Sequence, residues 1–87
     1  MQNASVKAIV WSQERCSACN QAKTLLKQHG IPYEERVLGS DEGNWTKEAL
    51  YRAVPDARSV PQIFLNDKHI GGFPELRKYF SDNPQNA

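Results

Sequence analysis

The sequence predicts an α/β fold, a four-stranded mixed sheet built in the order βαβαββα with helices on both faces. Three observations predict it. Short apolar or β-branched runs alternate with segments of helical periodicity. The first three elements read strand–helix–strand, which implies a parallel pair joined by a right-handed crossover. Near the end, Asn66-Asp67 separates two short strands as a hairpin turn, which adds an antiparallel pair. The 87 residues are enough for one domain spanning 1–87. A chain of that length buries only about 60–65% of its unfolded surface, so its core must be compact.

Ser5 to Trp11 (Ser-Val-Lys-Ala-Ile-Val-Trp) is short, β-branched and apolar at its end, and predicts the first strand. From Ala18 the apolar positions are Ala18, Cys19, Ala22, Leu25, Leu26 and His29, opposite a polar face of Asn20, Gln21, Lys23, Lys27 and Gln28. That spacing is helical; Gly30 follows as a C-terminal cap and Pro32 prevents continuation. Tyr33 to Leu38 predicts the second strand. Gly39 to Gly43 is a polar loop, and Asn44 is positioned to cap a helix running to about Val54, with Trp45, Ala49, Leu50 and Ala53 as its apolar side. Pro55-Asp56-Ala57-Arg58 breaks it. Gln62 to Leu65 predicts a third strand and Lys68 to Ile70 a fourth, ended by Gly71-Gly72. Pro74 fits the first turn of a last helix whose buried side is Leu76, Tyr79 and Phe80. Ser81 to Ala87 is polar and is expected to fray.

Composition narrows the function. The net charge is +1, with 39% hydrophobic and 24% charged residues, and Lys and Arg are intermingled with Asp and Glu. No basic run exceeds two residues, so the electrostatic footprint expected of a nucleic-acid binder is absent. No apolar stretch approaches the roughly 18 residues of a membrane span, and no signal-peptide pattern opens the sequence. These features lead to the expectation of a cytoplasmic, monomeric protein without a membrane or nucleic-acid partner.

The two cysteines, Cys16 and Cys19, stand three positions apart. A structural disulfide between them would close a loop of about four residues, contributing roughly 2 kcal/mol against nearly 5 for a loop of about 100. Chemistry is the better reason for the pair. A thiolate is the species that attacks a disulfide, so a catalytic cysteine needs a depressed pKa. Cys16 is predicted at the N-terminal edge of the first helix, where unpaired N–H groups and the helix dipole favour negative charge. Arg15 adds a positive charge and Glu14 partly opposes it. Cys19 lies one turn further in, on the apolar stripe, and should be the more buried thiol. The roles that follow are Cys16 as nucleophile and Cys19 as resolving thiol. Two other readings remain. One is an inert pair of helix cysteines. The other is half a zinc site completed by His29 and His69, whose distances along the chain match no standard finger spacing. Trp11, Tyr33 and Trp45 could stack on a ligand, but core packing is their default.

The chain resembles the glutaredoxins, within the thioredoxin-like superfamily, over about residues 5 to 80. The resemblance rests on Trp11-Ser12, on Cys16-x-x-Cys19-x-x-Ala22-Lys23, on Arg58-Ser59-Val60-Pro61-Gln62-Ile63-Phe64, and on His69-Ile70-Gly71-Gly72-Phe73-Pro74-Glu75-Leu76, in that order. The Gly39–Asn44 loop and the Leu76-Arg77-Lys78-Tyr79-Phe80 ending look most like phage-type members. The resemblance implies a dithiol enzyme that uses glutathione to reduce protein disulfides or glutathione mixed disulfides, serving electron transport and redox homeostasis. It implies that Pro61 is a cis-proline facing the dithiol, and that Val60 presents its backbone to the cysteine of glutathione. Gly71-Gly72 would let the backbone approach glutathione closely, with Gly72 among its contacts, and the helix start at Phe73 to Glu75 would receive the γ-glutamyl carboxylate on its N–H groups. Arg58 matches a position that reaches a glutathione carboxylate, and Gln13, Arg15 and Ser17 complete the expected glutathione contacts. Ribonucleotide reductase is an acceptor by resemblance, and no bound metal is expected.

Four positions depart from the family pattern. Ser17-Ala18 replaces the usual Pro-Tyr between the cysteines, Gln13 replaces an upstream lysine, and Pro74 removes a backbone N–H donor. These departures keep two alternatives open: an electron donor reduced by thioredoxin reductase, and a dimer bridging a [2Fe–2S] cluster.

Overall fold

We analysed a computed structural model, in which residues 6–39 and 45–82 are described. Seven elements follow the predicted order: β1 (Ala8–Ser12), α1 (Ser17–Gln28), β2 (Tyr33–Val37), α2 (Lys47–Ala53), β3 (Gln62–Leu65), β4 (Lys68–Gly71) and α3 (Phe73–Asp82). The sheet order is β2-β1-β3-β4. β1 runs parallel to β2, with Val10 opposite Glu35, and antiparallel to β3, with Val10 opposite Ile63. β3 and β4 form the antiparallel hairpin. Its two turn residues take left-handed backbone, Asn66 at φ 50° and Asp67 at φ 70°. That is the geometry of a type I′ turn, which Asn and Asp tolerate because a short polar side chain hydrogen-bonds locally.

Alternation along the strands divides the core in two. Ala8 and Val10 of β1 and Ile63 and Leu65 of β3 face α1 and α3, where they pack with Ala22, Leu26, Ile31, Leu76 and Phe80. Trp11 points the other way, toward Leu50 and Val54, with Trp45 and Phe64 packed against them. Helices therefore cover both faces, as predicted: α1 and α3 on one, α2 on the other.

Several boundaries differ from the sequence expectation, among them the ends of β1 at Ser12, β2 at Val37 and β4 at Gly71. The first strand begins at Ala8, whose N–H donates to the Pro32 carbonyl at 2.9 Å; Val6 and Lys7 precede it, and Ser5 lies outside the described residues. The second helix starts later than expected. Asn44 lies outside the described residues, and the observed cap is Thr46, whose Oγ1 accepts the Ala49 N–H at 3.0 Å. Trp45 consequently precedes α2; Leu38 bridges to it in parallel, and its ring meets Trp11 edge-on at 5.2 Å. Ala53, expected on the apolar side, is exposed, and Val54 just past the helix is buried instead. Leu50 in the helix and Val54 just past it are the residues packed against Trp11. Thr46→Ala should destabilise the fold by about 1 kcal/mol in denaturant titration, the usual cost of losing a capping oxygen. α3 continues through Asp82, where Lys78 and Asp82 pair one turn apart, and residues 83–87 of the expected frayed tail lie outside the described residues.

A polar cluster ties α1 to the sheet. Ser12 is fully buried, its hydroxyl donates to Glu35 Oε2 at 2.7 Å, and Lys23 Nζ donates to the same oxygen at 2.8 Å. Burial pushes the Glu35 carboxyl up, but the hydrogen bonds from Lys23 and Ser12 and the Lys23 charge outweigh it and hold it below the usual range. A carboxyl lowered on folding stabilises the native state above its unfolded value, about 4.3, and loses that contribution as pH falls through the folded value. The stability difference between the wild type and Glu35→Gln should therefore be constant above about pH 5 and shrink below about pH 4. Chemical denaturation across that range measures it, and a difference that grew toward acid would contradict the ion pair.

Candidate active site

The site is built where β1 ends and α1 begins. Cys16 is the N-cap of α1, in extended backbone (φ −114°, ψ 101°), and its sulfur accepts the Cys19 N–H at 3.1 Å. A sulfur thus occupies the place usually held by a capping hydroxyl or carboxylate, so negative charge on it is favoured by that donor and by the helix dipole. α1 opens with no acidic residue in its first turn to oppose that charge. Cys16 and Cys19 are joined as a disulfide with Cα atoms 5.2 Å apart. The first cysteine is half-buried, whereas the second is 1% exposed. A nucleophile entering from solvent thus meets the Cys16 sulfur.

Across the dithiol stands Val60-Pro61, joined by a cis peptide bond. The Cys16 Sγ lies 3.9 Å from the Val60 carbonyl oxygen. A disulfide sulfur has no proton to donate, so this is a contact, and it fixes the Val60 main chain beside the reacting sulfur. Gln62, a polar residue in a strand that is otherwise apolar, orders this segment. Its Nε2 donates to the Ser59 carbonyl at 2.9 Å, and its Oε1 lies 2.8 Å from His69 Nε2. The turn carrying Val60 is so tied to both β3 and β4.

On one side of Val60 a cleft of about 190 Å³ is lined by Gln13, Arg58, Ser59 and Val60 together with Lys47 and Tyr51 of α2. On the other side the start of α3 closes in. A side chain at Gly72 would have its Cβ 3.2 Å from the Pro61 carbonyl oxygen, so the glycine lets the two backbones approach. Gly71 has φ +122° and carries the Glu75 side chain against it; a Cβ there would sit 2.7 Å from Glu75 Cγ. Glu75 Oε1 accepts the Gly72 N–H at 2.8 Å.

The expected ligand contacts are thus distributed unevenly. Gln13, Arg58 and Val60 share the cleft, and Pro61, Gly72 and Glu75 converge on the other side of Val60. Ser17 is exposed as the first residue of α1. Arg15 is exposed with φ 60°, a conformation costing a residue with a side chain about 1–2 kcal/mol. Phe73 opens α3, and its side chain lines a groove with Asn20, Gln21 and Thr24 of α1, with the Arg77 guanidinium 5.9 Å from its ring. The resemblance implied a carboxylate received by N–H groups at Phe73 to Glu75; in the structure the Glu75 carboxylate itself engages the neighbouring Gly72 N–H. Trp11 and Trp45 are core residues, with the Arg36 guanidinium 5.1 Å and 4.3 Å from their rings. Ser12, Gln62, Lys47 and Tyr51 were not anticipated at the site. Of these, Gln62 carried a signal, as a lone amide in an apolar strand.

Comparison with known proteins agrees with this geometry. A family model described as glutaredoxin matches residues 8–70. The chain is 33% identical over 67 residues to glutaredoxin 3 of Escherichia coli, covering 77% of each. It is 39% identical over 72 residues to a hybrid peroxiredoxin of Haemophilus influenzae, where it spans 83% of this chain and 28% of that longer protein. Among solved structures it resembles a buckwheat glutaredoxin–glutathione complex, with a TM-score of 0.73 and 30% identity, covering 92% of this chain and 73% of that one.

Proposed function

The chain belongs to the glutaredoxin family, and from that premise we propose that it is a glutathione-dependent reductase of protein disulfides and glutathione mixed disulfides. Its thioredoxin-like fold and paired cysteines make it a thiol–disulfide oxidoreductase. The observation that carries the finer reading is the half-exposed Cys16 sulfur at a helix N-terminus, with the Val60 main chain 3.9 Å away and Cys19 buried behind it.

With a glutathione mixed disulfide, the Cys16 thiolate attacks the glutathione sulfur. A Cys16–glutathione disulfide forms and the target thiolate leaves; a second glutathione thiolate then attacks the bound glutathione sulfur, giving glutathione disulfide and the Cys16 thiolate. With a protein disulfide, Cys16 forms the mixed disulfide and Cys19 resolves it. The Cys19 sulfur attacks Cys16, the reduced dithiol leaves, and two glutathiones reduce the Cys16–Cys19 bond. We place this activity in the cytoplasm, where a glutathione pool keeps such a dithiol reduced. Ribonucleotide reductase is one acceptor consistent with the family, and the identity to part of a hybrid peroxiredoxin supports a peroxiredoxin as another.

The test is turnover of hydroxyethyl disulfide with glutathione, glutathione reductase and NADPH, run beside thioredoxin reductase and NADPH. NADPH consumption that requires glutathione supports the proposal; turnover with thioredoxin reductase alone overturns the glutathione dependence. A specific observation favours that second electron source: Pro74 lacks an N–H and Glu75 already holds that of Gly72.

A further inference from the structure

The segment that faces Cys16, Arg58 to Pro61, carries opposite charge at its two ends. Beside Ser59 and Val60 the cleft is lined by two exposed basic residues, Lys47 and Arg58. Neither forms an ion pair among the described residues. Beside Pro61, the Glu75 carboxylate is folded onto Gly71 and Gly72; Oε1 would lie 3.5 Å from a Cβ at Gly72, the same point that lies 3.2 Å from the Pro61 carbonyl oxygen. Among the described residues Glu75 has no ion-pair partner, and its second carboxylate oxygen can meet an incoming cation. Net charge is only +1, so this polarity is a property of the site and not of the whole molecule.

From this charge order we propose, building on Cys16 as the nucleophile, that the site selects protein disulfides by the residues flanking the target cysteine: a basic residue before it and an acidic residue after it. An extended peptide laid beside Val60 pairs most favourably antiparallel to the Arg58–Pro61 segment. Its residue before the cysteine then lies by Pro61 and Glu75, and its residue after the cysteine lies by Arg58 and Lys47. The matched order gives two attractions, and the reversed order gives two like-charge oppositions. Tyr51, 47% exposed at the cleft wall, offers a ring face against which the chain following the cysteine can lie. The reaction itself is ordinary exchange. The Cys16 thiolate displaces one peptide thiolate from a peptide disulfide; Cys19 then displaces the second, two cysteines of the enzyme are oxidised, and the Cys19 proton passes to solvent.

The experiment compares symmetrical disulfides of acetyl-Lys-Cys-Glu-amide and acetyl-Glu-Cys-Lys-amide, which have the same composition and net charge. Oxidation of the reduced full chain is followed by stopped-flow tryptophan fluorescence, each rate being normalised to reaction of the same peptide with dithiothreitol. The Lys-Cys-Glu disulfide should react about tenfold faster at low salt, the combined effect of two exposed ion pairs and their reversal. The ratio should fall toward one at about 1 M salt, where screening acts within about 3 Å. Lys47→Glu and Glu75→Gln should each cut the low-salt ratio by about threefold. Equal normalised rates, or preference for Glu-Cys-Lys, would overturn the charge selection while leaving Cys16 chemistry intact. Failure of both peptides to oxidise the protein would instead sink the assignment of Cys16 as nucleophile, and the selection with it.

Discussion

Cys16→Ser is expected to lower turnover of hydroxyethyl disulfide to the uncatalysed rate, a loss on the order of 10³-fold or more, as for removal of a nucleophile elsewhere. The hydroxyl of serine is not ionised near neutral pH and cannot form the mixed disulfide. The Cys19 N–H would still find an oxygen to cap α1, so folding should be unimpaired. Cys19→Ser should behave differently. Reduction of glutathione mixed disulfides needs only Cys16 and free glutathione, so it should persist, while reduction of protein disulfides should fall because no internal thiol resolves the intermediate. The two variants assayed side by side on both substrates measure this. Equal loss on the glutathione mixed disulfide would mean that Cys16 and Cys19 are not divided as nucleophile and resolver.

Trp11→Ala should be the costliest substitution for stability, at about 3–5 kcal/mol. Trp11 is 2% exposed, packs with Leu50 and Val54, meets Trp45 edge-on at 5.2 Å and lies 5.1 Å from the Arg36 guanidinium. Removing it unpacks the core on the α2 face and takes away the surface on which Arg36 rests. For a domain of this size each kcal/mol lowers Tm by about 4–8 °C, so a fall of about 12 °C or more is expected in calorimetry. Trp45 remains as a fluorescent reporter. A loss below about 1 kcal/mol would show that Trp11 is not a core residue.

Strand and helix order was legible in the sequence because each element carries its own period. Gln62 to Leu65 and the Asn66-Asp67 turn were read at their observed positions, since a two-residue turn needing left-handed backbone leaves little freedom of register. The start of α2 was less legible. Asn44 and Thr46 are both good caps two residues apart, and local propensity does not separate them. The packing of Trp45 against Trp11 and its bridge with Leu38 leave Trp45 outside the helix and Thr46 at its head. Glu35 was read simply as a strand residue, and Ser12 only as part of the Trp11-Ser12 block following the first strand. Their hydrogen bond joins neighbouring strands 23 residues apart in sequence, and no local pattern encodes such a pair.

For the dithiol, the sequence by itself determined that two cysteines one turn apart open a helix after a strand, and that the first is the better placed for negative charge. Helix periodicity and the orphan N–H groups of a first turn are local, so the residues themselves specify them. Tertiary structure alone decided what surrounds that sulfur. The sheet order brings Val60 to face Cys16, sets Lys47 and Arg58 in one cleft, and brings Gly72, onto which Glu75 folds, close to Pro61. Those neighbours come from different elements, and only the packing of α2 and α3 on opposite faces of the sheet fixes their distances and the charge that each end of the site presents.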